Sequence, residues 1–547
     1  MEHRIVIVGG VAGGMSAATR ARRMNEHATI TVLEKGGYIS FANCGLPYYL
    51  GGQIEDEASL FLTTPEKVRE RYRIDARVHH EVIRVDRAAK VVEGIDRKTG
   101  EEFAIPYDKL ILAPGASPIL PKLDGIDAPN VFVLRNVEDT QRLHHHLAES
   151  KATRAIVVGG GFIGLEMVEA LHARGVSVTL LEKAPHALPA LDPEMAGWIE
   201  GEMRRQGVTV HVGTGLGGLE LDGERVVAVT TDTDLRIETD FVLLSMGVRP
   251  ITKLAEEAGL AIGPTGGISV DKAMRTSDPD VYAVGDAAQV MQGVTHLAAR
   301  VPLAGAANRH GRLAGEHAAT GHGLPAGEVL GTAIVRIFDL DVGITGLGLH
   351  AARRAGYDAD SVVVHPKDHA SYYPGAQEMH LLLVYDRSNG RVLGAQGVGP
   401  AGVDKRIDVI ATVLHFHGTV DDLASLDLCY APQFSGAKDP VHYAAFVAQN
   451  DRRDLSPLVD GAAAGVQLVD VRTPREVSNG MLEGAIPIPL DSLRERFAEL
   501  DPSRPTVVYC QQGLRGHVAA RILRQHGFHD VKNLKGGYRQ VVLRRDG

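Results

Sequence analysis

The sequence predicts an α/β protein whose first half holds two open parallel sheets in tandem, followed by smaller mixed domains. Three observations predict it. An apolar strand, a glycine-rich turn, a helix and a strand ending in glutamate run from Arg4 to Glu34, and the same plan returns from Ala155 to Glu182. A second marker, an apolar strand preceded by Asp and closed by Gly and Pro, also occurs twice, at Tyr107–Pro118 and Thr239–Pro250. Near the C-terminus a strand opens into the loop Cys510-Gln511-Gln512-Gly513-Leu514-Arg515 ahead of a helix.

Length and composition bound the answer. At 547 residues the chain is too long for one core, and about 150 residues per domain gives three or four units. Apolar content of 44% and charged content of 23% are those of an ordinary globular protein. A net charge of -10 does not suggest an electrostatic grip on nucleic acid. No apolar run is long enough to span a bilayer, and the first strand starts too near Met1 to leave room for a signal peptide. The three widely spaced cysteines suit a reducing cytoplasm better than a disulfide scaffold, so the expected location is cytoplasmic, with no nucleic-acid or membrane partner.

Taken in order, Arg4–Val8 is a buried parallel strand running into Gly9-Gly10-Val11-Ala12-Gly13-Gly14, and a helix is expected from Met15 to Asn25. Such a turn offers backbone N–H groups and a helix N-terminus to a pyrophosphate. Val11 stands where the middle glycine of the fingerprint belongs, so a merely structural turn is the alternative for this copy alone. Strand Thr29–Leu33 ends in Glu34, beside Lys35, where a carboxylate can accept bonds from a ribose. The second copy has the full pattern, Gly159-Gly160-Gly161-Phe162-Ile163-Gly164, a helix to Arg174, and a strand ending in Glu182. Two Rossmann-like folds imply two bound dinucleotides. Next, Thr276–Ala288 carries a strand to Gly285-Asp286 at the start of an expected small-residue helix, with Asp286 placed for a ribityl hydroxyl.

These motifs together resemble the FAD- and NAD(P)-dependent disulfide reductase family over residues 1–447. The resemblance implies a discontinuous FAD domain (1–150 and 271–325), an NAD(P)H domain (151–270) and an α+β dimerisation domain (326–448). It implies FAD against Gly9, Gly10, Gly13, Gly14, Glu34, Lys35, Ala113, Gly285 and Asp286. It implies NADH, with NADPH as the alternative donor, against Gly159, Gly161, Phe162, Gly164, Glu182 and Gly247. The polar stretch Asn450–Ser456 reads as a linker (449–456). Beyond it, Asp470-Val471-Arg472 and the Cys510–Arg515 loop resemble a single α/β rhodanese domain (457–547).

One short stretch, Ser40-Phe41-Ala42-Asn43-Cys44-Gly45-Leu46-Pro47-Tyr48-Tyr49, places a cysteine after the first nucleotide-binding turn. A thiolate held against a flavin ring takes its electrons, and it needs a pKa lowered by a helix N-terminus or local donors. Many relatives use two nearby cysteines, whereas the next one here is Cys429. A lone redox cysteine rests as a mixed disulfide, a sulfenate or a persulfide.

The stretch resembles coenzyme A-disulfide reductases, and the whole chain resembles their fusions with rhodanese, some of which reduce persulfides or polysulfides with NADH. That resemblance implies a homodimer in which Cys44 holds CoA and Ser16, Arg20, Arg23, Ser40, Asn43, Asn308 and Lys438 line its path. It also implies that Tyr372 and Tyr430 act near the partner subunit's Cys44, with Tyr373 a neighbour competing for the first role. In the rhodanese domain, loop N–H groups and Arg515 would stabilise the Cys510 thiolate or persulfide. The expected substrates are CoA-linked or inorganic sulfane sulfur. The alternatives are an NADH oxidase or peroxidase cycling Cys44 through sulfenic acid, and a sulfur-responsive binding protein. Cys429 reads as structural, and His144-His145-His146 as a solvated helix face rather than a metal site.

Overall fold

The protein, described by a computed structural model over residues 3–546, divides into two compact units. The first comprises Met1–Pro185 with Val208–Gly331, the second His186–Gly207 with Thr332–Gly547. Among the described residues no helix is long and apolar enough to cross a membrane.

The first unit contains two five-stranded parallel sheets. One has the order Val281–Ala283, Lys109–Leu112, Arg4–Val8, Thr29–Leu33, Ile74–Arg77, the other Thr209–His211, Ser177–Leu181, Arg154–Val158, Phe241–Leu244, Val131–Phe132. Central strands of parallel sheets are covered on both faces, which is why they read as unbroken apolar runs. Ile5, Ile7, Leu110, Ile111 and Leu112 are all fully buried, and burying each such side chain is worth about 1.5–3 kcal/mol.

Each sheet takes its last strand from outside its own stretch of sequence. The first recruits Val281–Ala283, which pairs parallel with Leu110–Leu112. The second recruits Val131–Phe132, which pairs with Val242 and Leu243, so a strand assigned to 1–150 belongs to the second sheet. The two Gly-Pro markers also meet, because Ala116–Pro118 and Val248–Pro250 pair antiparallel with each other.

Local chemistry explains the glycine turns. Gly9 and Gly159 sit at φ +102° and +105°, where side chains are strained, and a Cβ on Gly14 or Gly164 would lie 1.8 or 1.9 Å from the carbonyl oxygen of Gly9 or Gly159. The returning helix, Ala304–Thr320, lies on helix Ala12–Met24 through glycines in the same way. Cβ atoms on Gly311 and Gly315 would stand 2.1 and 2.2 Å from the carbonyl oxygens of Gly13 and Ala17.

Four details differ from the sequence expectation. The first helix begins at Ala12, three residues before Met15. No helix starts at Gly285-Asp286; these residues form the single 3-10 turn Gly285–Ala287, because the chain then goes extended and Gln289 N donates to Ile268 O. Segment His186–Gly207, with its helix Pro193–Arg205, was assigned to the nucleotide domain but packs in the second unit. There Asp192 accepts from Leu349 N and Gln396 Nε2, and Trp198 stacks on His380 at 3.6 Å. Finally, Asn450–Ser456 is not a loose linker. Helix Pro440–Arg452 runs through its first residues, and buried Asp451 accepts from Tyr385 Oη at 2.5 Å and Leu458 N at 2.8 Å.

The rest of the second unit is one antiparallel and one parallel sheet. The antiparallel order is Ala333–Ile337, Leu340–Gly346, Val392–Gly399, His380–Asp386, Ala359–Val364, with helix Val403–His415 against Gly343 and Gly397. The parallel sheet, Leu458–Val459, Val531–Leu534, Thr506–Tyr509, Gln467–Asp470, Ile486–Pro487, presents the Cys510 loop at the end of its central strand.

Candidate active site

The two glycine turns carry a matched device. Glu34 accepts from Gly10 N at 2.7 Å and Gly36 N at 2.8 Å, and Glu182 accepts from Gly160 N and Ala184 N, both at 2.6 Å. Each carboxylate therefore braces its turn, with the buried Glu182 held at both oxygens. Lys35 beside Glu34 and Lys183 beside Glu182 are exposed. Helices Ala12–Met24 and Phe162–Ala173 have no side-chain N-cap and no acidic residue in the first turn. By contrast, helix Val137–Glu149 is capped by Asn136 and starts with Glu138 and Asp139. Uncapped N–H groups at a positive helix end suit a phosphate.

A Cβ on Gly161 would meet nothing within 4 Å, leaving the backbone open where a pyrophosphate approaches. Gly9 stands against Ala113 O, Gly13 faces Val284 and Gly285 N, and Gly247 takes φ +93°. The residues present thus fit two dinucleotides.

Arg135, which the sequence pattern did not reveal, binds this region together. Its Nη2 donates to Asp286 at 2.9 Å and its Nε to Ala116 O at 3.0 Å. The Asn43 amide, turned to satisfy both of its atoms, accepts from Arg135 Nη1 and donates to Arg135 O, each at 3.2 Å. The Cys44 turn is thereby tied to the carboxylate expected beneath the flavin ribityl chain.

Cys44 lies in the 3-10 turn Asn43–Gly45 ahead of helix Leu46–Gly51. The residue is exposed, yet neighbouring protein atoms desolvate its thiol. That burial, then the carboxylates of Glu166 and Asp286, push the thiol above its ordinary range, with Arg135 opposing them. In the chain by itself, burial and these two carboxylates together outweigh Arg135 and the backbone donor that favour the thiolate. Glu166 is a second residue the sequence reading missed. It accepts from Tyr48 Oη at 3.1 Å, and burial raises its own pKa.

The residues expected along a CoA path have partners of their own. Ser16 Oγ donates to Asn308 Oδ1 at 2.5 Å, Arg20 pairs with Glu316, and exposed Arg23 donates to Thr19 O and Oγ1. Arg20 is thus charge-compensated, which leaves Arg23 as the open cation on that helix. Ser40 takes φ +48° and donates its N–H to Gly10 O. Lys438 is exposed and belongs to the second unit.

In that unit the two phenol loops converge. Tyr372 Oη and Tyr430 Oη are 3.0 Å apart, with Tyr372 75% and Tyr430 50% exposed. Buried Arg406 explains the convergence, donating to Asp368 O on one loop and to Asp439 on the other. Tyr373 packs on His369 instead. Cys429, expected to be structural, is exposed beside Tyr430 and not packed in a core. The three adjacent histidines point three ways: His144 stacks on Tyr49, His145 pairs with Glu149, and His146 sits against Phe132 and Phe241.

Cys510 is 2% exposed at the base of its loop, and Gly513 N points at its sulfur from 3.1 Å. Helix Leu514–Gln525 follows with no side-chain cap, so its N–H groups face the loop. Arg515, expected to add a fixed positive charge beside Cys510, has its pKa raised first by Glu476 and also by Cys510. It forms a bidentate pair with Glu476 at 2.6 and 2.7 Å, which holds the Glu476 carboxyl down at about 2.

Compared with known proteins, residues 3–311 match the pyridine nucleotide-disulphide oxidoreductase family. Residues 332–440 match its dimerisation domain and 456–543 a rhodanese-like domain. A coenzyme A disulfide reductase of Staphylococcus haemolyticus is 33% identical over 447 residues, 82% of this chain and 99% of its own. Two solved structures are similar along the whole length. Reduced CoADR-RHD of Bacillus anthracis is 41% identical with a TM-score of 0.96, covering 100% of this chain and 99% of its own. An NAD-dependent persulfide reductase from A. fulgidus is 37% identical with a TM-score of 0.93, covering 98% and 99%.

Proposed function

From the premise that this chain belongs to the pyridine nucleotide-disulphide oxidoreductase family and carries a rhodanese-like domain, we propose that it is an NADH-consuming, FAD-dependent reductase of CoA persulfide, CoA disulfide or polysulfide. It works as a cytoplasmic homodimer. The observation that carries this reading is that Cys44, a free thiol, sits in the turn tied through Asn43 and Arg135 to Asp286, with the chain's other two cysteines also free. An internal disulfide cycle is thereby set aside in favour of a mixed disulfide with a substrate thiol. The two nucleotides, when bound, supply an electron pair to sulfur at Cys44.

The chain's own residues do the rest. As thiolate, Cys44 attacks the CoA-bound sulfur of a CoA persulfide, forming the Cys44–CoA disulfide and releasing hydrosulfide. Cleavage of that disulfide by two electrons returns the Cys44 thiolate and CoA thiolate. Arg135 holds Asp286 and Asn43, fixing where the Cys44 turn stands. Glu182, braced by two N–H groups, favours the ribose diol of NADH over the 2′-phosphate of NADPH. Ser16, Ser40, Asn43 and Asn308 supply polar contacts to CoA, Arg23 and Lys438 pair with its phosphates, and Arg20 shares its charge with Glu316. Tyr372 and Tyr430 donate toward the partner subunit's Cys44.

In the rhodanese domain Cys510 accepts sulfane sulfur and hands it to CoA, whose flexible arm carries it to Cys44 at high effective concentration. The fused domain favours this reading over an oxidase or peroxidase. The test is Cys44→Ser, which keeps FAD bound and loses reduction of every sulfur substrate. Mass analysis of wild-type Cys44 as purified should find CoA attached. Wild-type turnover of CoA persulfide by Cys44→Ser would move the chemistry elsewhere.

A further inference from the structure

Among the described residues, the three arginines that touch or flank the Cys510 loop are each matched by a carboxylate. Arg515 is held bidentately by Glu476. Arg472, donating to Gln511 Oε1 at 3.3 Å, is held by Asp470 at 2.7–3.1 Å and is 1% exposed. Arg539, whose N–H donates to Gln511 O, is paired with Glu378, and Glu378 also accepts from Gln512 Nε2 at 2.7 Å. Between Cys510 and Arg515 the loop has no charged residue, and Leu514 at its rim is 70% exposed. A dianion entering this loop meets the backbone N–H groups that already face Cys510, but its arginines are in compensated pairs, and a thiolate and an apolar side chain complete the lining.

We infer that Cys510 takes its sulfur from a persulfide carried on an organic thiol in preference to the thiosulfate dianion. The inference rests on reading Cys510 as a sulfur acceptor. In the favoured step the Cys510 thiolate attacks the outer sulfur of RSSH. The donor S–S bond breaks, its electron pair leaves on RS⁻, and the new S–S bond makes the Cys510 persulfide, which keeps the donor's proton. One negative charge is present throughout. With thiosulfate the same displacement gathers three negative charges in the loop and expels sulfite. Each uncompensated charge at close range in a partly desolvated loop is worth about tenfold, so two extra charges disfavour thiosulfate about 100-fold. The exposed Leu514 gives the organic part of a thiol carrier an apolar surface, which an inorganic oxyanion does not use.

The test uses the full-length chain with Cys44→Ser and Cys429→Ser, so that only Cys510 loading is read. Its persulfide is followed by intact-protein mass, with glutathione persulfide and thiosulfate as donors. The expected result is loading about 100-fold more efficient from the organic persulfide. Glu476→Gln, which frees Arg515, and Leu514→Lys, which adds a cation at an exposed position, should each raise the thiosulfate-to-persulfide ratio about tenfold. The second variant serves where loss of the Thr473–Glu476 cap unfolds the first. Thiosulfate loading within about threefold of the organic persulfide, or a ratio that neither variant moves, overturns the charge argument while leaving Cys510 a sulfur acceptor. Failure of both donors to load Cys510 instead removes the sulfur-acceptor reading on which the inference stands.

Discussion

Tyr372 and Tyr430 share one hydrogen bond, 3.0 Å between their oxygens, and this constrains what they can do together. In the pair one O–H is spent on the other phenol, so a single O–H remains to donate outward. The bond to Tyr430 also raises the Tyr372 pKa, keeping that phenol protonated as a donor must be. If the outward proton meets a leaving thiolate, losing it removes a charge-assisted hydrogen bond, which slows sulfur reduction about 10- to 100-fold. Either single Phe variant disturbs the same unit, because one deletes the donor and the other its support. The double variant should fall within about threefold of the worse single variant rather than at the product of the two losses. The assay is stopped flow on the two half-reactions, reduction of the bound flavin by NADH and its reoxidation by CoA persulfide. Only the second should slow. Additive losses, or equal losses in both half-reactions, would refute a shared phenol acting at the sulfur.

Three further outcomes are expected. Glu182→Ala removes the carboxylate that braces the second glycine turn and is proposed to accept from the ribose. It should cost NADH about tenfold in kcat/KM and raise the NADPH-to-NADH ratio, and an unchanged ratio contradicts the assignment. Glu166→Gln deletes the larger of two carboxylate influences holding the Cys44 thiol above its ordinary range. Since the thiolate exists above the pKa, removing a raising charge moves the alkylation–pH profile of Cys44 to lower pH; a profile that stays put or rises argues against it. Cys510→Ser should lose CoA-stimulated sulfide release from polysulfide while keeping reduction of ready-made CoA persulfide. Wild-type sulfide release from polysulfide would make the rhodanese domain an accessory rather than a loader.

Much of this was legible without coordinates because it is written in short, local patterns. Arg4–Val8, Gly9–Gly14 and Glu34 recur as Ala155–Val158, Gly159–Gly164 and Glu182, since a tight turn at positive φ with close backbone approach leaves glycine little competition. The Cys510 loop announced itself equally by a strand, a four-residue turn and a helix in succession. The family and its fused domain followed from these residues alone, and the comparisons agree.

What the sequence did not disclose depends on partners far apart in the chain. Arg135 meets Asp286 across 151 positions, Glu166 meets Tyr48 across 118, and no periodicity marks either pair. Val131–Phe132 is too short to advertise itself, and becomes a strand because Phe241–Leu244 has an open edge beside it. The Asn450–Ser456 stretch looks like a linker because it is polar, but Asp451 is polar in order to receive Tyr385 and Leu458. Arg515 reads as a fixed charge at the loop, and nothing in the sequence shows that the turn after Thr473 brings Glu476 against it. Local backbone geometry is dictated by neighbouring residues and so is readable from them. The charge a site offers to its substrate is a sum over groups that only tertiary packing brings within a few ångströms.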